Sequence, residues 1–288
     1  MKRLLTIMAT VLCVAIAGCS TTGGGSSPSH PSRTSFETNP SAWIGHESWG
    51  WLWIENIDQY LAAIVLAGGN CVGVPALWCS ETASGAEPPY GPWADRFDDP
   101  FFQGKLKTIM DGARARKLTA VVQLFSWEDA NDSAHDDAWM LHRLQWFIDR
   151  GPEGVAIVAF NEMGHDGSNM SKLLHWEGLF AGRWPGAKGT NRDGGNPRSC
   201  YPGWFGEVHP QKDGNWGVVT DPDFPKVIVN DARINVDLTR DGGYANVPTS
   251  TDYYRRAHKA GRGVIILQTT HRGDFDAVGA ASIAEALK

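Results

Sequence analysis

The sequence predicts an α/β protein, folded as a single (β/α)8 TIM barrel. Three observations predict it. Short unbroken apolar runs, the pattern of strands covered on both faces, recur along the chain. Apolar stripes at helical spacing separate them. Eight such units fit in the roughly 250 residues after a polar N-terminal stretch, the usual size of this barrel. Alternating strands and helices pair in parallel through right-handed crossovers. An open doubly wound sheet is the competing arrangement. It would want a Gly-rich phosphate turn after the first strand, and the only Gly run, Gly23-Gly24-Gly25, lies in the polar stretch.

The elements follow in order. Ala42–Gly45 is the first strand. Ile54, Ile57, Leu61, Ile64 and Val65 form a helical stripe stopped by Gly68-Gly69. Cys71–Leu77 is the second strand, and Phe102, Leu106, Ile109, Met110 and Ala113 mark the next helix. Thr119–Ser126 is the third strand, followed by a helix over Trp139–Ile148. Val155–Phe160 is the fourth, followed by a helix from Leu173 to Ala181 that Trp184-Pro185-Gly186 stops. Ala187–Thr190, Gly203–Pro210, Lys226–Asp231 and Gly263–Thr269 supply strands five to eight. Helices are expected over Tyr253–Ala260 and Phe275–Leu287.

The N-terminus is a targeting segment. Met1-Lys2-Arg3 is basic, and the apolar stretch from Leu4 to Ala17 is too short for a permanent span. Ile16-Ala17-Gly18-Cys19 resembles a bacterial lipobox, which implies lipidation of Cys19 and a membrane anchor that does not cross the bilayer. An ordinary cleaved signal peptide is the alternative. Ser20 after Cys19 implies, by the same resemblance, sorting to the outer membrane or cell surface. The expected organisation is a signal over 1–18, a flexible Ser/Gly/Pro-rich tether over 19–38, and the barrel over 39–288.

Composition narrows the function. A net charge of −6 with no basic stripe argues against nucleic acid as a partner. Thirteen Trp residues are unusually many; exposed aromatic faces stack on sugar rings and buried ones pack a core, so two or three are expected at a site and the rest in packing. Of the cysteines outside the signal and the lipidation site, Cys79 and Cys200 lie in expected loops and form the favoured disulfide, with Cys71 left on a strand. His135-Asp136-Asp137 with His142 has metal-ligand residue types. Asp at a helix start has an electrostatic reason of its own, so no metal and no cofactor are expected. Gly-x-Ser-x-Gly and His-Glu-x-x-His are absent.

Val155–Phe160 ends in Asn161-Glu162. A rigid strand that delivers a carboxylate to the C-terminal face of a barrel places it where such enzymes do chemistry. A solvated Glu capping the next helix is the alternative. On Asn161-Glu162 and its strand the chain resembles the retaining glycoside hydrolases of the (β/α)8 clan that includes the family 5 cellulases and mannanases. The resemblance extends over roughly 40–288 in layout. It implies a carbohydrate substrate, Glu162 as acid/base and Asn161 as a donor to the sugar 2-hydroxyl. A retaining mechanism needs a second carboxylate about 5–5.5 Å away. The clan places a Glu at the end of strand seven, where this chain has Asn230-Asp231. Asp231 and Glu207 are the candidates; Glu207 has an outward-facing strand position as its alternative. His209, after strand six, matches a clan substrate-binding His. His46, Trp49, Gln123, Trp127 and His271 are further candidates for substrate contact. The expected assembly is a monomer. A glycan-binding protein on a decayed hydrolase barrel, prompted by the missing strand-seven Glu, is the second reading, and a structural lipoprotein the third.

Overall fold

The structure is a computed structural model, and it describes residues 34–48, 51–76, 97–161, 167–190, 201, 203–208, 227–229, 255, 257–268 and 283–284. By its contacts the chain divides into 1–32 and 33–288, and every described residue belongs to the second unit. Among the described residues no helix is long and apolar enough to cross a membrane.

Eight parallel strands close a barrel in sequence order, β1 pairing with both β2 and β8. They are β1 (Ile44–Ser48), β2 (Cys71–Pro75), β3 (Thr119–Ser126), β4 (Val155–Asn161), β5 (Ala187–Thr190), β6 (Phe205–Val208), β7 (Val227–Val229) and β8 (Gly263–Gln268). The expected fold class is therefore the observed one. Five described α-helices accompany them: α1 (Ile57–Leu66), α2 (Pro100–Ala115), α3 (Trp127–Asn131), α4 (Asp137–Ile148) and α5 (Met170–Ala181). The closing helix expected over Phe275–Leu287 lies almost wholly outside the described residues.

Local signals account for the helix starts. The Asn56 side chain accepts the Gln59 N–H at the head of α1, and Asp99 accepts the N–H groups of Phe101 and Phe102 at the head of α2, where Pro100 fills the first position. Asp136 and Asn169 cap α4 and α5 in the same way. The α2 stripe of Phe102, Leu106, Ile109, Met110 and Ala113 is wholly buried, as its spacing requires.

The first strand is the largest correction. It runs over Ile44–Ser48, not Ala42–Gly45. Asn39 caps a 3-10 turn over Pro40–Ala42, so the chain enters the sheet only at Ile44. The polar run His46-Glu47-Ser48 is buried as a strand, with His46 set against the Tyr60 hydroxyl and Glu47 against the Gln123 amide. Contacts with the barrel also begin inside the stretch expected to be tether. Glu37 O accepts hydrogen bonds from Trp43 Nε1 and Thr119 Oγ1, both at 2.8 Å, and Lys117 Nζ lies over the Phe36 ring.

Two apolar layers result. Between strands and helices lie Val72, Val74, Val122, Leu124, Ile157, Ala159, Val264 and Ile266, packed on the helical stripes. Inside the barrel lie Trp43, Cys71, Val121, Ala156, Val158, Phe205 and Ile265. Trp43 and Phe205 meet edge to face at 5.3 Å and fill the interior near the strand starts. Gly189, on β5, leaves the space that the Phe205 ring occupies. Gly189→Ala is expected to destabilise the barrel by about 1–3 kcal/mol, because Phe205 must leave its place. Thermal unfolding checks this, and an unchanged midpoint would show that Phe205 repacks freely.

Candidate active site

The strand ends define the C-terminal face of the barrel. Asn161 closes β4 there, half-buried and in register with Ser126, the last residue of β3. Trp127 follows directly, half-buried at the first position of α3. The sequence thus brings an amide and a hydroxyl from two adjacent strands, and an indole from the helix that follows one of them, to one edge of the mouth. Glu162 is the next residue after Asn161 and lies outside the described residues. So do Asp231, His209, Trp49, His271, Cys19, Cys79 and Cys200.

Below the mouth, the interior carries a polar cluster. The Gln123 amide on β3 donates to Glu207 Oε1 on β6 at 3.0 Å and to Glu47 Oε2 on β1 at 3.3 Å. These strands are not neighbours, so the three side chains can meet only across the barrel interior. Both carboxylates are 1% exposed. Gly73 on β2 makes room for the cluster, since a side chain there would collide with that of Glu47.

This arrangement sorts the expected site residues. Glu207 faces inward, which removes the outward-facing alternative. It also places its carboxylate in the packed interior, held by Gln123, and not on an open surface. Gln123 is likewise an interior residue, its amide engaged with the two carboxylates. His46 faces the other way. It follows Gly45 and precedes the inward Glu47, so strand alternation turns it toward the helices. There its Nδ1 lies 2.9 Å from the Tyr60 hydroxyl on α1, and the residue is wholly buried. The Tyr60 hydroxyl is held well above its ordinary pKa, first by burial and then by the negative charges of Glu47 and Cys71.

Glu47 was not among the expected residues. Ending the first strand at Gly45 left it in a loop. Its signal was present in the two-residue spacing Trp43, Gly45, Glu47, which continues one face of the strand.

The acidic and His-rich segment before α4 disperses into separate pairs. Asp136 caps the helix, His142 pairs with Asp98 at 2.9 Å, and Asp137 accepts from His175 at 2.8 Å. The His175 hydrogen bond is the main cause that lowers the Asp137 pKa. Among the described residues no group of three His, Cys, Asp or Glu could hold a metal ion. Among the described tryptophans, Trp43, Trp51, Trp176 and Trp184 are fully buried, and Trp139 and Trp176 stack at 6.0 Å.

No protein-family model and no curated protein matches the chain. Solved structures do. Endoglucanase Cel5A from Thermotoga maritima superposes with a TM-score of 0.55 at 15% identity, covering 88% of this chain and 99% of that one. A hyperthermophilic endo-β-1,4-glucanase solved with substrate gives 0.52 at 12% identity, covering 86% and 98%. A GH5-4 broad-specificity endoglucanase from an uncultured bacterium gives 0.54 at 11%, covering 87% and 96%. At these identities the likeness establishes a shared architecture, and the chain has the (β/α)8 fold found in glycoside hydrolases of family 5.

Proposed function

We propose that the protein is a glycoside hydrolase acting on a poly- or oligosaccharide by a retaining, two-carboxylate mechanism. The carrying observation is Asn161, which closes β4 at the C-terminal face of a closed parallel barrel. Glu162 is the next residue in the chain, and barrels of this type keep their reactive groups at these strand ends. The endoglucanase structures that share the fold support the same substrate class. In this reading Glu162 protonates the leaving oxygen and later activates water. Asn161 orients the sugar through its 2-hydroxyl, and Trp127 offers an aromatic face beside it. Because Glu207 is held in the interior by Gln123, Asp231 is the preferred nucleophile. No cofactor is required.

The test is the appearance of new reducing ends when the protein is incubated with soluble β-glucans, mannans and xyloglucan. NMR of the first product formed should show the anomeric configuration retained. A non-catalytic glycan-binding protein is the second reading. It is favoured by the inward placement of Glu207 together with the Asp in place of Glu after β7. Saturable binding of an oligosaccharide with no new reducing ends would establish it.

The N-terminal segment fits a lipid anchor at Cys19 that tethers the barrel to the bacterial cell envelope. Cys19→Ala is expected to move the protein from the membrane fraction to the soluble fraction and to abolish labelling by a fatty-acid analogue. Retention of both in the variant would overturn the anchor.

A further inference from the structure

The mouth-side end of β3 is held by a buried charged assembly that strand pairing does not require. Asp129, in α3, turns its side chain back, and its Oδ2 accepts the Ser126 N–H at 2.9 Å. Its Oδ1 lies 3.3 Å from Nδ1 of His135, whose Nε2 lies 3.7 Å from Asp132 Oδ2. The His135 ring stacks on Trp139 at 3.7 Å with an interplanar angle of 10°. The Arg143 guanidinium lies over the same indole at 3.9 Å and over Phe97 at 5.1 Å. Asp129, His135 and Arg143 are all buried.

Burying three ionisable side chains is unfavourable unless each is held in place. Strand pairing does not supply this support: β3 pairs with β2 only as far as Gln123, and beyond it the strand is paired to β4 alone. What they fix is local. Ser126 is in register with Asn161, and Trp127 follows Ser126 in the chain. The carboxylate of Asp129 therefore anchors the backbone directly beside the segment that Asn161 closes, the mouth-side end of β4.

We propose that Asp129 and His135 are positioning residues for that segment. Asp129 fixes the end of β3 through the Ser126 N–H, and His135, held between Asp132 and the Trp139 face, fixes Asp129. The inference rests on the hydrolase reading for what is positioned, and on the contacts above for how.

The test uses the full chain with Asp129→Ala, Asp129→Asn and His135→Gln, read by steady-state kinetics and by hydrogen exchange over 119–127 and 155–162. Asp129→Ala is expected to lower kcat by about 10–100-fold, the scale of a misplaced reactive group. KM should stay within about threefold, because ground-state binding is not what is lost. Exchange should quicken in both segments. Asp129→Asn keeps an oxygen to accept the Ser126 N–H and should recover most of kcat; His135→Gln should fall between the two. Unchanged exchange in Asp129→Ala overturns the proposal, as does an Asp129→Asn protein as impaired as the alanine variant. Should the wild-type protein turn over no glycan, the hydrolase reading fails on its own. Faster exchange at 155–162 in Asp129→Ala would then still support the brace, and unchanged exchange would overturn it.

Discussion

Glu162→Gln is expected to reduce turnover of an unactivated polysaccharide by about 10²–10⁴-fold, the range that a positioned general acid–base contributes. The glutamine is nearly isosteric, so the fold and substrate affinity should persist. What disappears is the proton delivered to the leaving oxygen and the base that activates water. The loss has a signature that simple disruption lacks. With an aryl glycoside whose leaving group departs unaided, the first step should survive and a burst of phenol should precede a slow second step. Azide should speed that second step in Glu162→Ala, because a small anion enters where no base is needed, and the product should be a glycosyl azide with retained configuration. Asp231→Asn, by contrast, should abolish both steps on every substrate if Asp231 is the nucleophile. Full activity in Glu162→Gln would remove the assignment of the acid/base. Full activity in Asp231→Asn would return the search for the second carboxylate to the other acidic residues at the mouth.

Gln123→Leu is expected to cost about 2–4 kcal/mol of stability, since a donor shared by two buried carboxylates is lost while the carboxylates stay. For a barrel of this size that corresponds to a fall in Tm of about 5–15 °C. Leucine fills nearly the same volume, so a cavity does not enter the comparison. The geometry behind the expectation is the pair of bonds from one amide to Glu207 at 3.0 Å and Glu47 at 3.3 Å, linking β1, β3 and β6 across the interior. A double-mutant cycle with Glu207→Gln isolates the interaction. The double variant should be more stable than the sum of the two losses predicts, because the second change replaces the carboxyl group that the first left without this donor. A Gln123→Leu protein as stable as the wild type would show that the other contacts of these carboxylates suffice. The same experiment separates stability from function. Gln123 lies beneath the mouth, so its loss is expected to act on Tm before it acts on substrate affinity.

The elements that were legible in the chain are those whose signal is local. Val155–Phe160 is a continuous apolar run and Thr119–Ser126 is one broken only by Gln123, and a strand covered on both faces needs little else to declare itself. The α2 stripe and its Asp99-Pro100 start are equally self-contained. Their alternation was enough to give a parallel barrel. Asn161-Glu162 was visible because it terminates one of those clear strands.

Glu47, Gln123 and His46 were not legible in the same way, and the reason is physical. Each is a polar residue on a buried strand, and a polar residue is buried only when a distant partner satisfies it. The partner of Gln123 is on β6, more than eighty residues away; that of His46 is a tyrosine hydroxyl on α1. No pattern within a window of ten residues encodes such a pairing. The strand–helix rhythm, the barrel class and the strand that leads into Asn161-Glu162 are written locally in the chain, because hydrophobic period and caps are properties of neighbouring residues. Which polar side chains face inward, the commitment of Glu207 to Gln123 and the anchoring of β3 by Asp129 are settled by the assembled fold. Those outcomes depend on closing the barrel, which brings together residues that the chain itself keeps far apart.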